Sequence, residues 1–79
     1  MIHQETAIKR LVAEVCAIDV ATLKTDRPLL EYGLDSARAM DLLVGLENEF
    51  DIRIPDADAA HLRTIDDVVA YVRKQSGAK

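Results

Sequence analysis

The stretch that decides the fold is residues 33–50, which read GLDSARAMDLLVGLENEF. Gly33 interrupts the preceding chain, and the carboxylate of Asp35 can accept hydrogen bonds from the first free amides of a helix. Apolar side chains then recur every three to four residues, which is the spacing of one helical face. We therefore predict a helix over 36–50 with Ser36 in its first turn.

At 100° per residue, the apolar side chains of this helix form two groups. The predicted core face consists of Ala39, Leu43, Leu46 and Phe50. A separate strip contains Ala37, Met40 and Val44, and the acidic residues Asp41 and Glu47 lie along its edges. An apolar strip edged by carboxylates is typical of a docking surface. The alternative is that Met40 and Val44 widen the core against the preceding loop.

The chain before this helix predicts a first helix and a long loop. Ile8, Val12 and Val15 lie at helical spacing, which indicates an amphipathic helix over about 4–16. Residues 17–34 lack this periodicity and are punctuated by turn-forming residues, so we predict a connecting loop. We expect four leucines to hold the loop against the core, Leu23, Leu29, Leu30 and Leu34.

Two shorter helices are predicted after residue 50. Pro55 suits a helix start and Asp56 can cap it, which indicates a short helix over about 56–62. Thr64 and Asp67 have the spacing of a capping box, so a fourth helix is predicted over about 65–74. The sequence therefore predicts an all-α protein with four helices.

Composition limits the size, the partners and the location of the protein. With 79 residues, the chain has room for one domain, and we take 1–79 as that domain. A net charge of −4 would repel nucleic acid and anionic membranes. The single Cys16 and the lack of clustered Cys and His residues argue against a disulfide or a zinc site. No signal peptide or membrane span is apparent, so we expect a soluble, cytoplasmic protein. We also expect it to be a monomer.

Three segments of the chain carry a resemblance when taken together. They are residues 31–36, EYGLDS, residues 46–56, LENEFDIRIPD, and residues 64–68, TIDDV. The first is similar to the attachment motif of the acyl carrier protein family, which uses 4'-phosphopantetheine as a covalent arm. The second resembles the acidic end of that family's second helix and the start of its third, and the last resembles the start of its final helix. The resemblance spans residues 29–72 and implies a small four-helix bundle of acyl-carrier type.

The resemblance implies a carrier that catalyses nothing itself. A phosphopantetheinyl transferase would move 4'-phosphopantetheine from coenzyme A to Ser36, and the arm's thiol would then hold an acyl or aminoacyl group as a thioester. A loading ligase and a downstream synthase or transferase are the other implied partners. Asp35 matches the acid of the motif and would help the transferase hold Mg²⁺. Five positions match those through which such carriers meet their enzymes, Ala37, Met40, Asp41, Val44 and Glu47.

Two residues depart from the pattern common among fatty-acid carriers. Ala37 stands where a larger aliphatic residue usually follows the serine, and Arg38 stands where an acid is frequent. A smaller apolar area and a reversed charge would weaken docking to a basic synthase. We therefore expect a dedicated carrier, and a stand-alone aminoacyl carrier protein is one subtype that fits.

The position of Ser36 is also compatible with functions other than that of a carrier. An Asp-Ser pair before an apolar helix is also ordinary capping chemistry. The main alternative is a helical adaptor that binds a partner helix without covalent modification, through Met40 and Val44. A serine hydrolase is disfavoured because no glycine follows Ser36 as in a nucleophile elbow. Cys16 and His61 are expected to have no chemical role, and no metal ligands or catalytic residues are predicted.

Overall fold

The computed structural model describes residues 3–76 and confirms the all-α prediction. The four helices are α1 His3–Cys16, α2 Ser36–Phe50, α3 Asp56–Ala59 and α4 Ile65–Ser76. Within residues 3–76, no helix has the length and apolar character needed to cross a membrane. The predicted domain also includes residues 1, 2 and 77–79, which lie outside the described residues.

Helix α1 ends in a left-handed turn at an unusual residue. Ala17 has φ 58°, and the amide of Ile18 donates to the carbonyl of Ala13 at 3.0 Å. This is the hydrogen bond of a Schellman motif, in which glycine normally occupies the left-handed position. The turn ends the helix at Cys16. A residue with a side chain at this φ costs about 1–2 kcal/mol of conformational free energy.

The connection between α1 and α2 contains more structure than the predicted loop over 17–34. Two 3₁₀ helices lie within it, Val20–Thr22 and Leu29–Tyr32. Leu23 and Leu29 are buried as predicted, and Leu34 is half-buried. Leu30 is 76% exposed, so the prediction that it anchors the loop is wrong. A 3₁₀ helix of four residues is too short to show a periodic apolar pattern. The sequence therefore does not reveal which of its leucines faces the core.

The core is formed mainly by α1, α2 and α4. Six side chains are less than 2% exposed, Ile8, Val12, Leu46, Ile65, Val68 and Val72. The predicted core face of α2 is rotated from the observed one, because Leu42 and Leu46 are buried whereas Leu43 is only half-buried. Gly45 explains the rotation: a Cβ built there would lie 3.2 Å from Leu11 Cδ2, so the absence of a side chain lets α1 approach on that side.

Helix α4 begins as predicted. The amide of Asp67 donates to Thr64 Oγ1 at 3.1 Å, and the amide of Thr64 donates to Asp67 Oδ2 at 3.2 Å. These reciprocal bonds form a capping box that satisfies amides with no partner inside the helix. The helix continues to Ser76, two residues beyond the predicted end.

Helix α3 is shorter than predicted. It covers Asp56–Ala59 rather than 56–62, and the residues up to Leu62 continue as turns. Pro55 occupies the N-cap position and makes no side-chain capping bond, so the predicted cap by Asp56 is wrong. A single helical turn has little stability of its own, so contacts from other elements must hold α3 in place.

Candidate functional site

Ser36 is the first residue of α2, directly after a capping aspartate. Asp35 has extended backbone geometry, and its Oδ1 accepts a hydrogen bond from the amide of Arg38 at 2.9 Å. This bond satisfies one of the amides that a helix start leaves without a partner. The cap fixes where the helix begins, and it therefore fixes the position of Ser36.

The segment before Ser36 is held in place by backbone geometry and one tyrosine. The 3₁₀ turn Leu29–Tyr32 ends at Gly33, whose φ of 88° a side chain would disfavour. The hydroxyl of Tyr32 accepts a hydrogen bond from the amide of Lys24 at 2.8 Å. The approach to α2 is thus tied to the preceding loop rather than left free.

The surroundings of Ser36 suit a phosphodiester. Ser36 is exposed, and its hydroxyl makes no hydrogen bond to any described residue. In the part of the chain that the structure describes, the amides of Ser36 and Ala37 also lack an acceptor. Free amides at the positive end of a helix dipole favour an anion. A phosphate ester on the Ser36 oxygen would therefore meet donors that are already in position.

The strip predicted on α2 is exposed. Met40 is 61% exposed and Val44 is 52% exposed, and Ala37 and Asp41 beside them are exposed as well. The alternative that Met40 and Val44 widen the core is therefore wrong. Exposed apolar side chains this large, next to one another on a helix, form a patch available to another molecule.

Two charged residues at the edges of α2 make contacts within the protein. Arg38 Nη1 donates to the carbonyl of Cys16 at 3.4 Å, at the end of α1. Glu47 Oε2 accepts a hydrogen bond from the amide of Ile54 at 2.9 Å. Each charge therefore has a structural contact that sequence reasoning did not reveal. Arg38 also supplies a cation to the end of α1, whose last turn contains no basic residue.

Cys16 is excluded from the site by its burial. Its side chain is 4% exposed, and this burial raises the pKa of the thiol above 9.0, while the nearby charge of Arg38 partly opposes the rise and that of Asp35 adds to it. A thiol with a raised pKa holds little of the reactive thiolate near neutral pH. The structure thus confirms that Cys16 is a buried, packed side chain.

An apolar pocket of about 220 Å³, partly open to solvent, lies between α2 and the segment around α3, next to the start of α2. Helix α2 contributes Ala39, Leu42, Leu43 and Leu46 to its walls. The opposite side is formed by the short α3 and its flanks, with Ala59, Ala60 and Leu62. The pocket is smaller than the 300–1,000 Å³ typical of small-molecule sites, so it would accept only a small apolar group.

Sequence reasoning missed the contact that holds α3. The hydroxyl of Tyr71 lies 2.8 Å from Asp58 Oδ2 and 3.3 Å from the carbonyl of Arg53. Partial burial of Tyr71 and the hydrogen bond to Asp58 raise the pKa of the tyrosine above 10.0, as do the negative charges of Asp58 and Glu47. The sequence did contain one indication of this contact, a tyrosine beside the valines of α4. A half-buried tyrosine hydroxyl usually has a hydrogen-bond partner.

Comparison with known proteins gives a consistent result. Residues 6–72 match the family described as "Phosphopantetheine attachment site". The chain is 39% identical over 66 residues to an acyl carrier protein of Campylobacter jejuni subsp. doylei, an alignment that covers 82% of this chain and 86% of that protein. It is 33% identical over 72 residues to an acyl carrier protein of Bdellovibrio bacteriovorus, which covers 90% of this chain and 92% of that protein.

Proposed function

The chain belongs to the acyl carrier protein family, and we propose that Ser36 is the residue to which its 4'-phosphopantetheine is attached. Members of this family are carriers rather than catalysts, and the family implies a covalent phosphopantetheine. The observation that carries the assignment to Ser36 is its position: an exposed hydroxyl at the first residue of α2, beside two amides without acceptors in the described chain.

Attachment requires the Ser36 oxygen to act as a nucleophile within a transferase. The oxygen would bond to the phosphorus on the pantetheine side of the coenzyme A pyrophosphate. The phosphoanhydride bond breaks, adenosine 3',5'-bisphosphate leaves, and the serine proton passes to a base of the transferase. Asp35 would contribute its second carboxylate oxygen to the transferase's Mg²⁺, because Oδ1 already accepts from Arg38. When bound, the arm supplies a thiol that holds the cargo as a thioester.

The exposed strip of α2 is the proposed docking surface for the enzymes that modify, load and unload the carrier. Acyl carrier proteins in general interact with phosphopantetheinyl transferases and synthases. In this chain, Met40 and Val44 offer the apolar centre, and Asp41 offers a negative rim. A carrier must leave each enzyme after every step, and a small apolar patch steered by charge suits brief contacts.

Met40→Glu tests this surface. We expect slower modification or loading by the partner enzyme, with an increase in KM, because a charge replaces the apolar centre of the contact. The free energy of unfolding should change by less than about 0.5 kcal/mol, because the side chain is mostly exposed. Val20→Glu is the matched control, since Val20 is 47% exposed but lies on the 3₁₀ turn after α1. If Met40→Glu and Val20→Glu react with the partner enzyme at the same rate and with the same KM, the strip is not the docking surface.

We propose further that this is a dedicated carrier of acyl or aminoacyl groups rather than a general fatty-acid carrier. Ala37 gives the strip a smaller apolar area beside the arm, and Arg38 places a positive charge near it. Both features reduce complementarity to a basic enzyme surface. Incubation of the modified carrier with acyl and aminoacyl ligases, followed by measurement of the thioester mass, would identify the cargo class. Residues 1–79 as one domain, a monomeric state and a cytoplasmic location remain predictions.

The intact mass of the protein tests the carrier assignment itself. Incubation with a broad-specificity phosphopantetheinyl transferase, coenzyme A and Mg²⁺ should add the mass of one phosphopantetheinyl group. Ser36→Ala should abolish the gain, whereas Ser76→Ala, which removes the other serine of the chain, should leave it unchanged. No gain in the wild type would make the non-covalent adaptor the better account, with Met40 and Val44 as its binding surface.

A further inference from the structure

The side chain of Arg38 lies against two separate parts of the backbone near Ser36. Its Nη1 donates to the carbonyl of Cys16, the last residue of α1, at 3.4 Å. A Cβ built on Gly33 would lie 4.0 Å from the same nitrogen, so the guanidinium also lies alongside Gly33. Gly33 and Arg38 flank Ser36 along the chain. One side chain therefore connects the approach to Ser36 with the end of α1.

The end of α1 favours a cation at this point. The last turn of the helix contains no basic residue, and among residues 3–76 the carbonyl of Cys16 has no donor other than Arg38. Carbonyls in the last turn of a helix lack partners within it, and they form the negative end of the helix dipole. Arg38 thus meets an acceptor and a favourable field together, so its interaction with α1 does not depend on the 3.4 Å bond alone.

The backbone on both sides of Ser36 is held as well. The amide of Arg38 donates to Asp35 Oδ1 at 2.9 Å, which fixes the first turn of α2. The amide of Gly33 donates to the carbonyl of Leu30 at 3.1 Å, which fixes the end of the preceding 3₁₀ turn. These two bonds are local to their own turns. The side chain of Arg38 is what joins the segment to a different helix.

We propose that Arg38 is a positioning residue for the modification of Ser36, an inference that rests on the proposed attachment of the arm there. Its side chain holds Gly33 and the start of α2 against the end of α1, which limits fraying of the first turn. Ser36 then keeps a fixed position relative to the exposed strip of α2, where the transferase docks. Displacement of a reacting atom by about 1 Å slows a reaction considerably. Arg38 acts through the backbone that bears Ser36 and takes no part in the reaction itself.

A role in positioning differs measurably from a role in partner choice. As a positive charge that faces the transferase, Arg38 would act on encounter and affinity. Its removal would then change the transferase concentration that gives half the maximal rate, and this change would depend on ionic strength. Positioning acts after docking, so its loss lowers the maximal rate. It also loosens the carrier's own backbone when no transferase is present.

Single-turnover kinetics and hydrogen exchange of Arg38→Gln test this inference. With the transferase in excess and with coenzyme A and Mg²⁺, the maximal rate of phosphopantetheinyl transfer should fall about two- to ten-fold, the range for one hydrogen bond. In the carrier alone, the amides of Gly33 and Ile18 should exchange faster by a similar factor, because they lie at the two contacts that Arg38 joins. The amide of the buried Val12 should be unaffected.

Arg10→Gln is the matched control. It removes the charge of another exposed arginine, one that lies on α1 six residues before the helix ends. The maximal rate and the exchange of both amides should stay as in the wild type. The same changes in both variants would show an effect of net charge, and the inference would be wrong.

The other outcomes are distinguishable. Intact mass of the wild type is measured first: a chain that gains no phosphopantetheinyl group contradicts the proposed function, and the inference falls with it. If the wild type is modified and Arg38→Gln reaches the same maximal rate, the inference alone is wrong, even where the half-saturating concentration changes. A lower maximal rate without faster exchange at Gly33 would place the effect in the transferase complex and overturn it too. An equal increase in exchange at Val12 would indicate a global loss of stability, which also contradicts it.

Discussion

The two sides of the bundle are held together in different ways. Where α1, α2 and α4 meet, side chains such as Val12, Leu46 and Ile65 are fully buried in one apolar cluster. On the side of α3, a pocket of about 220 Å³ remains, and a tyrosine hydroxyl holds the helix. We therefore expect the side formed by α1, α2 and α4 to contribute most of the stability, and the α3 side to open at a lower free-energy cost.

The two sides should lose different amounts of stability when a leucine on each is replaced by alanine. Leu46→Ala should lower the free energy of unfolding by about 2–5 kcal/mol, because Leu46 is fully buried and a cavity would remain. Leu62→Ala, on the α3 side, should cost less than about 2 kcal/mol, because Leu62 is half-buried and borders space that already exists. Urea denaturation of both variants measures the difference. Equal losses would mean that the two sides are packed alike.

The hydroxyl of Tyr71 can be removed without disturbing its ring. Tyr71→Phe should lower the free energy of unfolding by about 1–2 kcal/mol through loss of the hydrogen bond to Asp58. Hydrogen exchange in α3 should increase more than in α1, because this bond holds a helix of only four residues. An equal increase in both helices would contradict a local role for the tyrosine.

The same variant has a pH signature. The folded protein holds the Tyr71 proton more tightly than the unfolded chain does, because the pKa is raised above 10.0. This contribution is complete below pH 10 and is lost as the pH rises through the folded-state pKa. The stability difference between wild type and Tyr71→Phe should therefore shrink above pH 10. Taking the difference cancels the titration of Cys16 and of the other groups that both proteins share.

The smallest expected effect lies at the end of α1. Ala17→Gly should raise the free energy of unfolding by up to about 1 kcal/mol, because glycine adopts φ 58° without the strain that a side chain adds. Ala13→Gly, inside the same helix, should instead lower it by about 1 kcal/mol. Thermal unfolding of the two variants compares them directly. A loss of stability in both would show that Ala17 carries no strain.

The sequence was sufficient where local chemistry decides the structure. The start of α2 follows from the Asp35 cap and from apolar spacing, and the start of α4 follows from Thr64 and Asp67. These features act within one helical turn, so they can be recognised without knowledge of the rest of the fold. The position and exposure of Ser36 belong to this class.

The sequence was insufficient where a distant element decides the structure. The core face of α2 includes Gly45, where α1 approaches closely, and α3 is held by the hydrogen bond from Tyr71 of α4 to Asp58. Helical periodicity gave the exposed strip but missed the burial of Leu42. The contact of Arg38 with the end of α1 likewise joins residues 22 positions apart, which no local pattern indicates.

The central claim is that the hydroxyl of Ser36 holds the arm, and fragmentation of the modified protein tests it most directly. Trypsin does not cut before Pro28, so it should release a peptide spanning 25–38 that contains Ser36. We predict that this peptide carries the phosphopantetheinyl group and that fragment ions assign it to Ser36. Assignment to Thr25, Tyr32 or another part of the chain, or an unmodified peptide, would contradict the claim.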